Sequence, residues 1–257
     1  MQNKTEDQLL STVLDVLRSM VESGAEISRV EESARRIFGA YGMKKVDVYA
    51  TTSNIILSLE SPEGAISTHT RRVGSVAMDL ERTHHLNDLV RRITRTCPEA
   101  ETIRGELETI LAQKGYPSPV IVLFYGVIAG AFYLFFGGRS LSEMGLSAGI
   151  GLAVGIFSRL CEGMRMNKFF HKFLCSLLLS VLTFSLNRMG RIRHMDYVII
   201  GNIMTLIPGV GFTNALRDLF AGDSITGSLR LIEALLLAFV IACGYIITTF
   251  LFGGTAG

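Results

Sequence analysis

Residues 120–138 read VIVLFYGVIAGAFYLFFGG, a run of nineteen uncharged residues rich in Phe, Tyr, Val and Ile. A helix of this length is long enough to cross the hydrocarbon core of a bilayer, which is about 30 Å thick. More apolar stretches follow, and a soluble helical bundle would not normally offer so many in succession. The sequence therefore predicts an integral membrane protein with about five spans, at residues 120–138, 141–158, 169–186, 197–221 and 229–252.

The N-terminal part of the chain has a different composition. Arg, Glu and Asp are frequent up to Gly115, and the Gly-Tyr-Pro-Ser-Pro segment at 115–119 is typical of a boundary between domains. We therefore predict a cytoplasmic domain at residues 1–116 and an all-α transmembrane bundle at residues 117–257.

Two kinds of hydrophobic spacing indicate the fold of the first domain. Apolar residues recur about every 3.6 positions up to residue 42, as on the buried face of a helix. They alternate with other residues at 46–50 and 55–59, as in strands, and a third strand is expected at 65–69. The first domain is therefore predicted to be α+β, with helices packed on a small antiparallel sheet.

Composition and motifs argue against several classes of function. The formal net charge of +2 is too small to suggest nucleic-acid binding. The four cysteines are scattered without CxxC spacing, and no HExxH, GxSxG or P-loop motif occurs. We therefore expect no metal, no cofactor and no enzymatic activity.

The predicted orientation depends on charge and on the hydrophilic domain. With the N-terminus inside, six Lys and Arg residues lie on the cytoplasmic side of the spans and four on the other side. The N-terminal residues lack the pattern of a cleavable signal peptide, so the first domain is expected to stay in the cytoplasm. We predict a multi-pass protein of the inner (cell) membrane whose C-terminal residues, 253–257, lie outside.

The fourth predicted span contains a helix break beside polar residues. Pro208 has no backbone N–H to donate, and Gly209 allows conformations that other residues avoid. Thr213 and Asn214 are expected to begin a second half-helix, since transporters use such breaks to aim helix termini at ions or anions. The predicted substrate-binding residues, with Arg217 as the charged anchor, are Asn202, Thr205, Pro208, Gly209, Thr213, Asn214, Arg217 and Asp218. The alternative is a structural Pro kink, with Arg217 and Asp218 as a topological stop at the membrane surface.

Two carboxyl groups and four glycines complete the candidates. Glu143 and Glu233 lie close to or inside apolar spans, where an ionisable group is costly and is a candidate for ion or proton coupling. For Glu233 the alternative is an ion pair with Arg230. Two small-xxx-small spacings in the second span predict close helix packing, and they are formed by Gly145 and Gly149 and by Gly151 and Gly155.

Three stretches resemble the threonine/serine exporter family. They are residues 23–31 (SGAEISRVE), 68–73 (THTRRV) and, most specifically, 207–218 (IPGVGFTNALRD) with Gly222 and Asp223. The resemblance extends over nearly the whole chain. It includes the split members of the family, which resemble a two-subunit bacterial inner-membrane succinate exporter. This chain is similar to the larger subunit, which carries the soluble domain and five spans.

The resemblance implies a function and a partner. The function is export of small carboxylate-bearing metabolites by secondary transport, either C4 dicarboxylates such as succinate or threonine and serine. The partner is a smaller transmembrane subunit of the same family, so that the two form a hetero-oligomer surrounded by membrane lipid. Two other classes stay open at this point: a membrane-anchored enzyme that uses His69, Glu81 and His84, and a non-transporting assembly or sensory subunit.

Overall fold

The computed structural model describes residues 2–113, 115–164 and 166–253, and the side chains of 2–6 and 253 are not part of the description. In chain order its elements are α1 (Gln2–Glu22), α2 (Ile27–Ala40), β1 (Lys45–Ala50), β2 (Asn54–Glu60), β3 (Ile66–Arg72), α3 (Leu80–Thr96), α4 (Ala100–Ala112), α5 (Ser118–Phe135), α6 (Leu141–Gly163), α7 (Lys168–Arg188), α8 (Met195–Ile203), α9 (Gly209–Phe220) and α10 (Ser224–Gly253). The chain divides into two compact units. The first comprises Met1–Lys114 and Val210–Leu231, and the second Gly115–Gly209 and Ile232–Gly257.

The first unit contains the predicted small antiparallel sheet, with strand order β1-β2-β3. Val48 pairs with Leu57, and Leu57 pairs with His69 on the other side. Because side chains of a strand alternate between two faces, Ile55, Leu57 and Leu59 point to the same side, and all three are buried. They join a core to which α1, α2, α3 and α4 contribute their apolar faces. The α+β character predicted for this part of the chain is confirmed.

The second unit depends on close contact between helix backbones. A Cβ atom at Gly151 of α6 would lie 2.6 Å from the backbone oxygen of Tyr125 in α5. A Cβ at Gly201 of α8 would lie 2.8 Å from the backbone oxygen of Ala129. Both distances are shorter than a real side chain permits, so α5 approaches α6 and α8 this closely only because these positions are glycine.

The number of membrane-spanning helices requires a correction. Among the described residues, four helices are long and apolar enough to cross a membrane, and they lie in Ser118–Phe135, Leu141–Gly163, Lys168–Arg188 and Ser224–Phe252. The sequence predicts about five. The difference lies in the stretch 197–221, whose predicted break at Pro208 divides it into α8 and α9, of nine and twelve residues, so it contains no unbroken helix long enough for a bilayer.

The division follows from the local backbone around Pro208. The last turn of α8 tightens, since the N–H groups of Thr205 and Leu206 donate to oxygens only three residues back, on Asn202 and Ile203. Pro208 cannot donate, and the next helix begins at Gly209 rather than at the expected Thr213. The segment Val210–Leu231 groups with the first unit, whereas α8 belongs to the second.

Candidate functional site

A buried amide lies in the last turn of α8, where Asn202 is 1% exposed. Its Nδ2 atom donates to the hydroxyl and the backbone oxygen of Ser147 in α6, at 3.1 and 3.3 Å, and to the backbone oxygen of Val198 at 3.0 Å. The Ser147 hydroxyl donates in turn to the backbone oxygen of Ala129 in α5, at 3.1 Å. Asn202 and Ser147 therefore join α5, α6 and α8.

The orientation of the Asn202 amide is fixed by these contacts. The backbone oxygens of Ser147 and Val198 can only accept, so the atom facing them must be the donor Nδ2. The Oδ1 atom then points elsewhere, and it is buried without a hydrogen-bond partner among the described residues. An unpaired buried acceptor costs free energy, and a native structure usually has a reason for keeping it. What would satisfy it is a donor: an N–H, an O–H or a cation.

The helix break begins directly after this amide. The Thr205 hydroxyl donates to the backbone oxygen of Asn202 at 2.7 Å, which covers one carbonyl at the C-terminus of α8. Pro208 and Gly209 complete the turn into α9. The structure thus brings Asn202, Thr205, Pro208 and Gly209 to one short segment of the second unit, as the sequence predicts for the break itself.

The other four predicted residues lie in the first unit, on α9. Arg217 forms an ion pair with Glu26, the residue just before α2. The Asn214 side chain donates to the backbone oxygen of Gly24 over 3.4 Å. Thr213 is on the exposed side of α9. Residues 23–31 and 210–218, which are far apart in sequence, therefore meet in this unit.

Asp218 forms the buried contact of α9. It is 1% exposed and forms an ion pair of 2.6 Å with Arg230 of α10, which is also largely buried. Arg230 donates as well to the backbone oxygen of Ala25, at 3.0 Å. Burial raises the pKa of the Asp218 carboxyl, and the Arg230 guanidinium opposes that rise. The charges of α9 therefore have partners on the protein itself, at the turn between α1 and α2.

The two candidate carboxyl groups also have partners. Glu143 is 4% exposed, and it accepts a hydrogen bond from the Tyr133 hydroxyl at 3.0 Å and from the backbone N–H of Arg193 at 2.9 Å. Glu233 forms an ion pair with Lys168 of α7, so the expected pair with Arg230 is wrong. Both carboxylates therefore have a structural use, and a role for either in ion coupling stays a prediction.

The four glycines of α6 divide into two pairs. A Cβ atom at Gly151 or Gly155 would collide with α5, at 2.6 Å from Tyr125 O and 2.9 Å from Tyr125 Cβ. At Gly145 and Gly149 a Cβ would meet nothing within 4 Å. Only the first pair packs tightly against the described part of this chain.

Two of the residues considered for an enzyme, Glu81 and His84, lie on α3, and His69 lies on β3. His84 forms an ion pair of 3.4 Å with Asp88 when protonated, and a hydrogen bond from Arg91 holds the pKa of Asp88 below its usual value. Across the described residues, no group of three or more His, Cys, Asp or Glu side chains could hold a metal ion.

Sequence reasoning missed three residues that the structure brings into polar contacts: Ser147, His171 and Glu26. Ser147 and His171 each bond to another helix of the second unit, and Glu26 bonds to α9. A serine or a histidine within an apolar span was the available signal, because polar groups in such spans usually find a partner on a neighbouring helix.

Four long apolar helices, together with close glycine packing between helices, define a multi-pass membrane protein. A family model for threonine/serine exporters, ThrE, matches residues 11–252. The chain belongs to this family of membrane exporters, which is a family of transporters rather than of enzymes.

Among curated proteins the chain is similar to pheromone-regulated membrane protein 10 of Eremothecium gossypii, with 23% identity over 184 residues. The alignment covers 70% of this chain but 25% of that protein, so the chain spans about a quarter of the relative's length. No solved structure gives a significant match.

Proposed function

We propose that this chain is a subunit of a secondary transporter that exports small carboxylate-bearing metabolites across the cell membrane, with residues 1–116 in the cytoplasm. Membership of the exporter family supports the class of function. The observation that carries the site is Asn202, a buried amide with an unsatisfied oxygen at a helix break in the unit that contains most of the spans. Broken helices are where transporters place their substrate and ion sites.

The chemistry of the Asn202 oxygen favours one substrate class over the other. An acceptor is satisfied by a donor, and threonine and serine carry an ammonium group and a hydroxyl. Ionised succinate carries only acceptors, so it offers nothing to Oδ1. Threonine and serine are therefore the first candidates, and C4 dicarboxylates, which the resemblance to the split exporters suggests, are the second.

A smaller transmembrane subunit of the same family is the proposed partner. The face of α6 that carries Gly145 and Gly149 supports this proposal, since small residues let a second helix approach closely and this face has no close neighbour among the described residues. The complex would be a hetero-oligomer.

Counterflow in proteoliposomes tests the transport function. The chain is reconstituted alone and together with a shorter family member, and exchange of labelled threonine, serine and succinate is measured. Exchange of threonine or serine is expected. Absence of movement of all three compounds under both conditions would contradict the proposal, and exchange of succinate alone would reverse the order of the two substrate classes.

Two variants separate a role of Asn202 in binding from a role in packing. Asn202→Leu removes the unsatisfied oxygen, and loss of exchange is expected. Ser147→Ala disturbs the same hydrogen-bond network but leaves Oδ1 in place, so exchange should persist. Equal losses in both variants would show that the network only holds the helices.

The enzyme alternative makes the opposite prediction. If the first unit performed chemistry, substitution of His69, Glu81 and His84 would abolish function while Asn202→Leu left it intact. A non-transporting assembly subunit would show no effect of Asn202→Leu on exchange by the partner.

A further inference from the structure

A chain of polar groups crosses three helices of the second unit at the end where α5 begins, α6 ends and α7 begins. The hydroxyl of Tyr125 in α5 lies 3.4 Å from the hydroxyl of Ser158 in α6. The Ser158 hydroxyl lies 3.0 Å from Nε2 of His171 in α7. Ser158, the middle member of these three polar groups, is 1% exposed and is therefore shielded from solvent.

This arrangement depends on the glycine contact already described. Gly155 admits the Tyr125 side chain against α6, since a Cβ at this position would lie 2.9 Å from Tyr125 Cβ. Ser158 follows three residues later, on the same side of the helix. The Tyr125 hydroxyl therefore reaches Ser158 because of the close approach of α5 and α6.

We propose that His171, with Ser158 and Tyr125, is the proton-binding site that couples export to a pH gradient; this rests on the proposed transport function. Histidine is the side chain whose unperturbed pKa puts its change of charge between about pH 5 and 8. An ionisable side chain inside a spanning helix that bonds to another helix is a functional candidate by default. Nothing in the Asn202 network uses these three residues.

Proton binding reverses the direction of the hydrogen bond between Ser158 and His171. In the neutral site the Tyr125 hydroxyl donates to Ser158, and the Ser158 hydroxyl donates to Nε2 of a ring protonated at Nδ1. A hydronium ion from the aqueous phase transfers its proton to the Nε2 lone pair and becomes water. The new N–H then donates to the Ser158 oxygen, and the Ser158 hydroxyl hydrogen must turn to another acceptor. Proton binding therefore changes the contact that joins α6 to α7.

The other ionisable groups around His171 come from each neighbouring helix. On α6 they are Glu162, which is ion-paired with Arg159, and the buried thiol of Cys161. On α7 they are Lys172 and the buried Cys175. From α10, Glu233 is paired with Lys168 at the start of α7. His171 is the histidine among them, and it bonds directly to a buried hydroxyl.

The decisive measurement compares threonine counterflow with threonine accumulation driven by a pH gradient. His171→Gln in proteoliposomes is expected to retain threonine counterflow at equal pH on both sides but to lose accumulation driven by a pH gradient. His84→Gln, an exposed histidine of the first unit, is the matched control and should retain both. If His171→Gln keeps gradient-driven accumulation with the wild-type pH profile, the proposal is overturned while the transport function stands.

A second measurement does not need transport activity. The protein is labelled with ¹⁵N-histidine and placed in lipid nanodiscs, and the imidazole resonances are followed from about pH 5 to 8. The His171 resonance, assigned by its loss in His171→Gln, is expected to titrate and to shift its midpoint in Ser158→Ala. A His171 that does not titrate in this range overturns the proposal, even if wild-type counterflow has failed and the transport function has been rejected separately.

Discussion

The two units of this protein are stabilised by different kinds of contact. In the first, long aliphatic side chains fill a core, and Val13, Leu17 and Met20 of α1 have no exposed surface at all. The second unit also has an apolar core, but its helices come closest at glycines and it buries the hydroxyls of Ser147, Ser158, Ser176, Ser180, Thr183 and Thr248. Several of these hydroxyls bond across helices, as Ser176 does to the backbone oxygen of Ile241 at 2.6 Å.

The difference reflects the solvent of each unit. Burial of apolar surface drives folding in water, so large apolar side chains are the natural core of the first unit. In lipid the surroundings are as apolar as a leucine side chain, and helices associate through close packing and hydrogen bonds. The first unit also contains a largely buried ion pair, Asp218–Arg230. This pair connects α9 and the start of α10 to the turn between α1 and α2.

The largest expected change in stability follows from removing one partner of this ion pair. Arg230→Ala leaves the Asp218 carboxylate buried without its counter-charge and should lower the free energy of unfolding by about 3–5 kcal/mol. Arg217→Ala is the matched control, since the Arg217–Glu26 pair has an exposed cation and should cost about 0–1 kcal/mol. Denaturant titration in detergent micelles measures both. Similar small effects for the two variants would show that the buried pair does not stabilise the first unit.

The stability of the Arg230→Ala variant is also predicted to depend on pH. Burial already raises the pKa of Asp218 above its unfolded value, and loss of Arg230 removes the cation that opposes this rise. A carboxyl with a raised folded-state pKa contributes stability that is present at low pH and is lost as the pH rises through that pKa. The loss of stability in Arg230→Ala, relative to the wild type, should therefore be smallest at low pH. Adding Asp218→Asn to this variant should remove the pH dependence of the loss.

The next effect concerns the glycine contacts of the second unit. Gly151→Leu would place a side chain where even a Cβ is 2.6 Å from a backbone oxygen of α5, and overpacking of this kind costs about 1–3 kcal/mol or more. Lower thermal stability of the purified protein and a lower yield are expected. A fully stable Gly151→Leu protein would mean that α5 and α6 are not packed as closely as described.

Much of this architecture is readable from local sequence. Alternating apolar residues at 46–50 and 55–59 predict strands, and β1 and β2 occupy those positions. Pro208 predicts the helix break, and α8 ends and α9 begins on either side of it. Both signals act within a few residues, because strand alternation and the missing proline N–H are local properties of the backbone.

The contacts that decide the site are not local. Arg217 meets Glu26 over 191 residues of sequence, and Lys168 meets Glu233 over 65 residues. Helical spacing suggests Arg230 as the partner of Glu233, but in the structure Arg230 forms its ion pair with Asp218. The two glycine pairs of α6 have the same spacing, and only the position of α5 distinguishes them. Tertiary packing therefore determines the partners, which no local pattern encodes.

The exposed glycine pair gives the sharpest contrast with Gly151. Gly149→Leu adds a side chain where nothing lies within 4 Å, so the stability of the isolated protein should stay at the wild-type level. If a helix of the partner subunit packs on this face, the amount of co-purified partner should fall. Normal amounts of complex would contradict the proposed use of this face, and a loss of stability equal to that of Gly151→Leu would contradict the distinction between the two pairs.

The smallest expected effect tests a polar contact at the edge of the first unit. The Tyr41 hydroxyl donates to the backbone oxygen of Pro98 at 2.5 Å, and burial, with a smaller effect of the nearby Cys97, raises the pKa of Tyr41 to about 12. A phenol in an unfolded chain titrates near pH 10, so this contact contributes stability that is complete below about pH 10 and is lost as the pH rises through about 12. Wild-type protein should lose stability in that window more steeply than Tyr41→Phe. Tyr49→Phe, which removes a half-exposed hydroxyl from β1, is the control and should follow the wild-type curve. Parallel alkaline unfolding curves for wild type and Tyr41→Phe would show that the hydroxyl contributes nothing there, and that the stability of the first unit depends on its aliphatic core and on the Asp218–Arg230 pair.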